Sequence, residues 1–234
     1  MVRTLNAAVL LSAWEAALHE PALRRPLVLL NAVWPDLRVE EWASLPVGVR
    51  DRQLIALREA WFGDRIETVA TCPNCGERLD VIFRTSDITA PGPEAPAGLS
   101  IETGGRSVSF RLPTSADLIE AEARDPEATR EHLLEMCVPG ADSLAAASVK
   151  AVLEAMASAD PQADMQVTVA CPECGERSPY AFDIVSHIFD EVEEWAQRLL
   201  GDVHTLAMAY GWAEPEILAL SATRRQTYLR MVEG

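Results

Sequence analysis

Cys72-Pro73-Asn74-Cys75-Gly76-Glu77-Arg78 and Cys171-Pro172-Glu173-Cys174-Gly175-Glu176-Arg177 are the same seven-residue phrase but for Asn74 against Glu173, with starts 99 residues apart. Each phrase is a CxxC knuckle. Together they supply four thiolates, Cys72, Cys75, Cys171 and Cys174, the ligand count of a tetrahedral structural zinc site. Proline after the first cysteine and glycine after the second suit the tight turn in which two sulfurs converge on one ion. Three other readings stand beside zinc: a disulfide pair, a redox CxxC, and two unrelated turns. Met1-Val2-Arg3 leads into a segment broken by Glu15, His19 and Glu20, with no small-residue cleavage site, so the start does not read as a signal peptide. A cytosolic chain rarely keeps disulfides. A thioredoxin-like CxxC opens a helix in a βαβ setting, whereas the residues after each knuckle here read as strand. Zinc ranks first.

The flanks of the two phrases repeat as well. Ile66 to Thr71 leads into the first knuckle, and Leu79, Val81 and Phe83 alternate with Asp80, Ile82 and Arg84 after it. Met165 to Ala170 leads into the second, and Pro179 to Ile184 returns from it. Phe83 and Phe182 each follow the leading cysteine of their repeat by 11 residues. A strand–knuckle–strand element is therefore duplicated, and the duplication predicts two hairpins side by side around one ion, within one chain or across two. All four positions being thiolate, such a site keeps no open place for water and serves structure rather than Lewis-acid catalysis. Closing so long a loop costs little more than closing a short one.

Helical periodicity fills the remainder. Leu10, Leu11, Trp14 and Leu18 make one apolar face; Leu27, Leu30 and Val33 make a second after Pro26; a third helix is predicted from Val47 to Phe62, stopped by Gly63. Trp14, Trp34, Trp42 and Trp61 read as packing anchors. Ala90 to Gly98 is a Pro-rich linker, and Gly104-Gly105 marks a hairpin turn. Thr114 or Ser115 caps a short helix, Asp125-Pro126 opens another, and Asp142-Ser143 a third ending at Asp160-Pro161. Cys137 reads as a small buried hydrophobe. Val185, Ile188, Val192, Trp195 and Leu199 line a long helix that Gly201 is expected to interrupt; Pro215 starts and Ser221 caps the final helices. The expected class is α+β: mainly helical, with two β-hairpin zinc knuckles joined in one zinc-ribbon-like site of four cysteines. The segments are a helical region over 1–65, the first knuckle and hairpins over 66–112, an inserted helical subdomain over 113–162, the second knuckle over 163–184, and a helical region over 185–234.

Charge narrows the function. A net charge of −16 over 234 residues repels phosphate backbones and anionic membrane surfaces. Nucleic-acid-binding zinc ribbons carry a basic face, and no Lys/Arg stripe is visible here. No apolar run approaches the roughly 20 residues of a membrane span. His19, His132, His187 and His204 are scattered without an HExxH or Ser/His/Asp pattern, and no phosphate-binding glycine loop is present. Nothing in the pattern supports an enzyme or a small-molecule substrate.

The tail carries a further phrase: Tyr210-Gly211-Trp212, Glu216-Ile217-Leu218-Ala219-Leu220-Ser221, Arg224-Arg225 and Tyr228-Leu229. With a helical N-terminus and two CPxCGE knuckles, this layout resembles the T-even phage baseplate hub assembly family, in the zinc-knuckle form found beside contractile injection system and phage tail-like genes. The resemblance implies a non-enzymatic structural or assembly role, chaperone-like, among baseplate, hub or other tail-assembly proteins in the bacterial cytoplasm or in a phage-tail-like particle. An Arg-rich, aromatic terminal helix on an acidic body makes Tyr210, Trp212, Arg224, Arg225 and Tyr228 candidate partner-binding residues. The alternatives are a zinc-ribbon nucleic-acid-binding or regulatory protein and a redox CxxC protein.

Overall fold

Asn6 begins the fold: its side chain accepts the Val9 N–H at 2.9 Å and caps α1 (Ala7–Leu18), which buries Leu10, Leu11, Ala13, Trp14 and Ala17. The computed structural model describes residues 6–90 and 98–233; the predicted linker therefore lies, but for its two end residues, outside the described residues. Pro26 sits in the first turn of α2 (Arg25–Val33), which packs on α1 and ends at Trp34-Pro35. A short α3 (Val39–Ala43) buries Trp42, and α4 (Val47–Phe62) occupies the span predicted for it, stopping at Gly63. Arg58, buried on α4, donates to the carbonyls of Gly63 and Arg65, both at 2.6 Å, and so ties the helix end to the strand that follows.

β1 (Arg65–Thr71) and β2 (Arg78–Arg84) pair antiparallel with Ile66 opposite Phe83 and Ala70 opposite Leu79. Ile66, Ala70, Leu79, Val81 and Phe83 are buried, as their alternation requires. α5 (Thr85–Ile88) follows, then β3 (Leu99–Thr103) and β4 (Arg106–Phe110), joined by a turn at Gly104-Gly105. Thr114 and Asp117 form a capping box at the start of α6 (Ser115–Arg124). α7 (Thr129–Cys137) and α8 (Ala146–Ala159) pack on β4 around Val108, Phe110, Cys137, Val138 and Val152. Burial pushes the Cys137 thiol up to about 11, so it packs as a neutral hydrophobe. β5 (Gln166–Ala170) and β6 (Arg177–Ala181) form the third hairpin, followed by α9 (Ile184–Tyr210), α10 (Glu214–Leu218) and α11 (Ala222–Glu233). The class is the mainly helical α+β arrangement read from the sequence, built on three two-stranded sheets among the described residues.

Two compact units emerge: residues 1–39 with 186–234, and residues 40–185. In the first, Val203, Leu206, Ile217 and Leu229 gather α9, α10 and α11 on one apolar cluster. The second holds both knuckles.

Three local expectations change. Asp142-Ser143 lies in a single 3-10 turn (Ala141–Ser143), and α8 starts only at Ala146, because Gly140 ends the preceding segment in a left-handed conformation and the turn is closed by its own carbonyls. Asp125 does cap, accepting from Glu127, but Pro126 opens a 3-10 turn and α7 waits until Thr129. Gly201 does not interrupt α9. The helix buries Leu199, Val203 and Leu206 on both sides of it, and that burial outweighs a glycine cost of about 1 kcal/mol.

A buried polar cluster closes the second unit. Arg50 donates to Asp51 at 2.7 Å and to the Ser115 hydroxyl at 3.0 Å, and all three are buried. Desolvation raises Asp51 to about 6 against the opposing pull of Arg50, with Asp183 and Asp160 adding to the rise. A carboxyl raised in the folded state favours folding most when protonated, so its contribution is present below about 4 and lost as pH climbs through about 6. Asp51→Asn is expected to flatten the stability profile between pH 4 and 6, measured by urea unfolding; an unaltered slope would refute the assignment.

Candidate metal centre

Each knuckle is held by the same two backbone bonds. In the first, the Cys72 N–H donates to the Glu77 carbonyl at 2.8 Å and the Gly76 N–H to the Cys72 carbonyl at 2.9 Å. In the second, Cys171 donates to Glu176 at 2.8 Å and Gly175 to Cys171 at 3.0 Å. Gly76 and Gly175 have φ of +76° and +73°, the left-handed region that costs a side-chain-bearing residue about 1 kcal/mol or more. Phrases that differ at one position thus fold into loops with the same backbone bonds, and strand pairing below each loop fixes where its sulfurs point.

The hairpins meet through the residues that the repeat aligned. The Phe83 and Phe182 rings pack edge to face, 5.1 Å between centroids and 85° between planes. The Thr68 and Tyr180 hydroxyls lie 3.4 Å apart. Beyond these contacts the Sγ atoms cluster: Cys72 lies 3.7 Å from Cys174, Cys75 lies 3.6 Å from Cys171, and all four are within 4.8 Å of one another. A tetrahedron with metal–sulfur bonds of about 2.3 Å has edges of about 3.8 Å. The cluster is therefore ligand-sized, all-thiol and drawn from one chain, and the four cysteines could hold a metal ion. Cys72 and Cys171 are buried; Cys75 and Cys174 face solvent.

The electrostatics are those of sulfurs sharing charge. The Glu176 backbone N–H, helped by the Asn74 side chain, pulls the Cys174 thiol down to about 6. At Cys75 the Glu77 N–H also favours thiolate, but desolvation and the three neighbouring sulfurs outweigh it and push the thiol up to about 12. A thiolate at Cys174 goes with a protonated Cys75, the two sulfurs titrating as a pair. A bound metal cation would relieve the repulsion between thiolates.

The C-terminal candidates divide. Tyr210 and Trp212 stack at 4.7 Å and 19°, and Tyr228 sets its edge against Trp212 at 4.9 Å. Tyr210 is exposed, as are Met208 and Met231. Arg224 is exposed, one turn before Tyr228 on α11. Arg225 instead is buried and pairs with Asp202 of α9 at 3.3 Å, so it fastens α11 to its own unit. Only helical phase separates the two arginines: Arg225 and Leu229 face inward, Arg224 faces outward, and Tyr228 lies half-buried at the edge of the Val203–Leu229 cluster. Among the described residues no helix is long and apolar enough to cross a membrane.

Comparison with known proteins gives one family. Residues 28–140 match the family model of the T4 bacteriophage base plate protein. The match runs from Val28, inside α2, to just past α7 and includes the first knuckle but not the second. No curated protein and no solved structure matches the chain.

Proposed function

We propose that this chain, a T4-like phage baseplate protein over residues 28–140, is a non-enzymatic assembly factor, chaperone-like, for the hub of a phage-tail-like contractile injection system. The family match is the observation that carries the reading. Cys72, Cys75, Cys171 and Cys174 would hold a structural Zn2+, the ion best suited to a closed all-thiolate tetrahedron. When bound it supplies cross-linking, joining two hairpins that are each too small to be stable alone. The knuckle tips carry Glu77, Glu173 and Glu176 against Arg78 and Arg177, which leaves no basic surplus for a nucleic-acid backbone.

Partners would be other baseplate or hub proteins, met at the exposed end of α9 and α11. Arg224, Tyr228 and Met231 share a helical face there, beside the Tyr210–Trp212 stack. Aromatic residues and arginine on one rim are the composition of interface hot spots. Truncation at Gly211 is a blunt test, because it also uncovers the Val203 and Leu206 packing surface. Arg224→Glu with Met231→Asp alters only exposed side chains. That double variant is expected to keep its melting temperature and to lose at least tenfold in co-purification with co-expressed baseplate proteins. Undiminished co-purification would overturn the docking role.

A further inference from the structure

The second unit carries an apolar groove that neither the metal centre nor the C-terminal surface uses. It encloses about 590 Å³ between α7 and α8. Thr129, Leu133 and Cys137 line one wall at i, i+4, i+8, and Val149, Leu153 and Met156 line the other at i, i+4, i+7. Eight residues of helix rise about 12 Å, so the groove runs for two helical turns. Leu133, Val149 and Leu153 are only half-buried, and none belongs to the core cluster beneath. Such a side-by-side pair of apolar stripes is the surface onto which a third helix packs, through anchors spaced at i, i+3 or i+4, and i+7.

Charge selects the occupant. Residues 114–163 hold ten carboxylates, Glu127, Glu131, Glu135 and Glu154 among them, against three cations, Arg124, Arg130 and Lys150. Two of the cations are already engaged, Arg124 with Glu135 and Lys150 with Glu154. A second copy of the chain would bring the same acidic excess and be repelled. A small apolar molecule would leave the acidic excess around the groove unanswered, Glu131 at its lip included, where Arg130 is the one cation among the described lining residues. We propose that the α7–α8 groove docks an amphipathic helix of a protein partner, apolar on one face and rich in lysine or arginine along its flanks. The site is separate from the α9–α11 surface, so each can fail without the other.

The test uses the full-length protein and three labelled helical peptides of equal length, read by fluorescence anisotropy. One has a Leu face with Lys flanks, one a Leu face with Glu flanks, and one Ser in place of Leu with Lys flanks. The Leu/Lys peptide is expected to bind at least tenfold more tightly than either control. Glu131→Arg with Glu154→Arg, exposed positions beside the two walls, should shift preference toward the Leu/Glu peptide. Leu133→Asn with Leu153→Asn should abolish binding with unchanged circular dichroism. Equal binding of the Leu/Lys and Ser/Lys peptides would overturn the proposal, as would affinity unaffected by both pairs of substitutions. A dimer in sedimentation that dissolves on Leu153→Asn would also overturn it, by giving the groove to a second copy.

Discussion

Cys171→Ser with Cys174→Ser is expected to remove all bound metal and lower the melting temperature by more than about 10 °C. Structural zinc contributes an apparent 10–16 kcal/mol in small peptides, comparable with the roughly 5–15 kcal/mol that holds a whole domain together. Losing even about 5 kcal/mol moves the midpoint of a chain this size by 10–20 °C, at about 2–4 °C per kcal/mol. Apart from the sulfurs themselves, the contacts between the hairpins include the Asn74 side chain at Cys174, the Phe83–Phe182 edge contact and the long Thr68–Tyr180 approach at 3.4 Å, each a weak tie beside four metal bonds. Metal content by elemental analysis on size-separated protein, with a thermal scan, decides the matter. Wild type should carry one zinc per chain. Cys137→Ser, at a buried thiol outside the cluster, should keep that zinc. A double variant that retains metal, or melts where the wild type does, would refute the staple.

Gly48→Ala is expected to destabilise the second unit by about 3 kcal/mol or more, a large value for one methyl group. A Cβ at Gly48 would stand 1.8 Å from the Asp160 Oδ1 and 2.5 Å from its Cγ. The carboxylate cannot simply step aside. Its other oxygen accepts the Gly48 N–H at 2.9 Å in a buried setting, joining the start of α4 to the end of α8 across 112 residues. Moving Asp160 leaves a buried N–H unpaired and a buried carboxylate unsatisfied, each costing about 1–3 kcal/mol. Gly201→Ala is the matched control. That glycine lies inside α9 with open space around it, so the same methyl should stabilise by about 0.5–1 kcal/mol. Equal effects at the two positions, read by urea denaturation, would refute the steric account.

What the sequence displayed and what it hid follow a physical line. Features set by neighbours a few residues apart were readable: the knuckle turns, the buried stripe Leu79–Val81–Phe83, the Thr114 and Ser221 caps, and α4 with its glycine stop. The pairing of the two hairpins was readable too, because a duplicated phrase declares its own long-range partner. Features that need a partner with no matching text were silent. Nothing in a lone Gly48 announces Asp160, and nothing in Arg50-Asp51 announces Ser115. Gly201 misled because local propensity argues for a break while tertiary burial on both sides carries the helix through. Arg224 and Arg225 look alike in a list, and only the phase of α11 against α9 separates an outward cation from an internal tie. The α7–α8 groove was invisible because its leucines read as ordinary core until the neighbouring elements failed to cover them.

The 99-residue gap between knuckles also imposes a schedule on biosynthesis. At translation speeds of about 5–20 residues per second, the first pair of thiols leaves the ribosome about 5–20 s before the second. During that interval Cys72 and Cys75 would be an open half-site for the proposed ion, unable yet to enclose it. Whichever atoms complete the coordination sphere first, nascent chain or passer-by, influence how the polypeptide goes on to fold. Shortening the intervening segment would shorten the window as well as the loop.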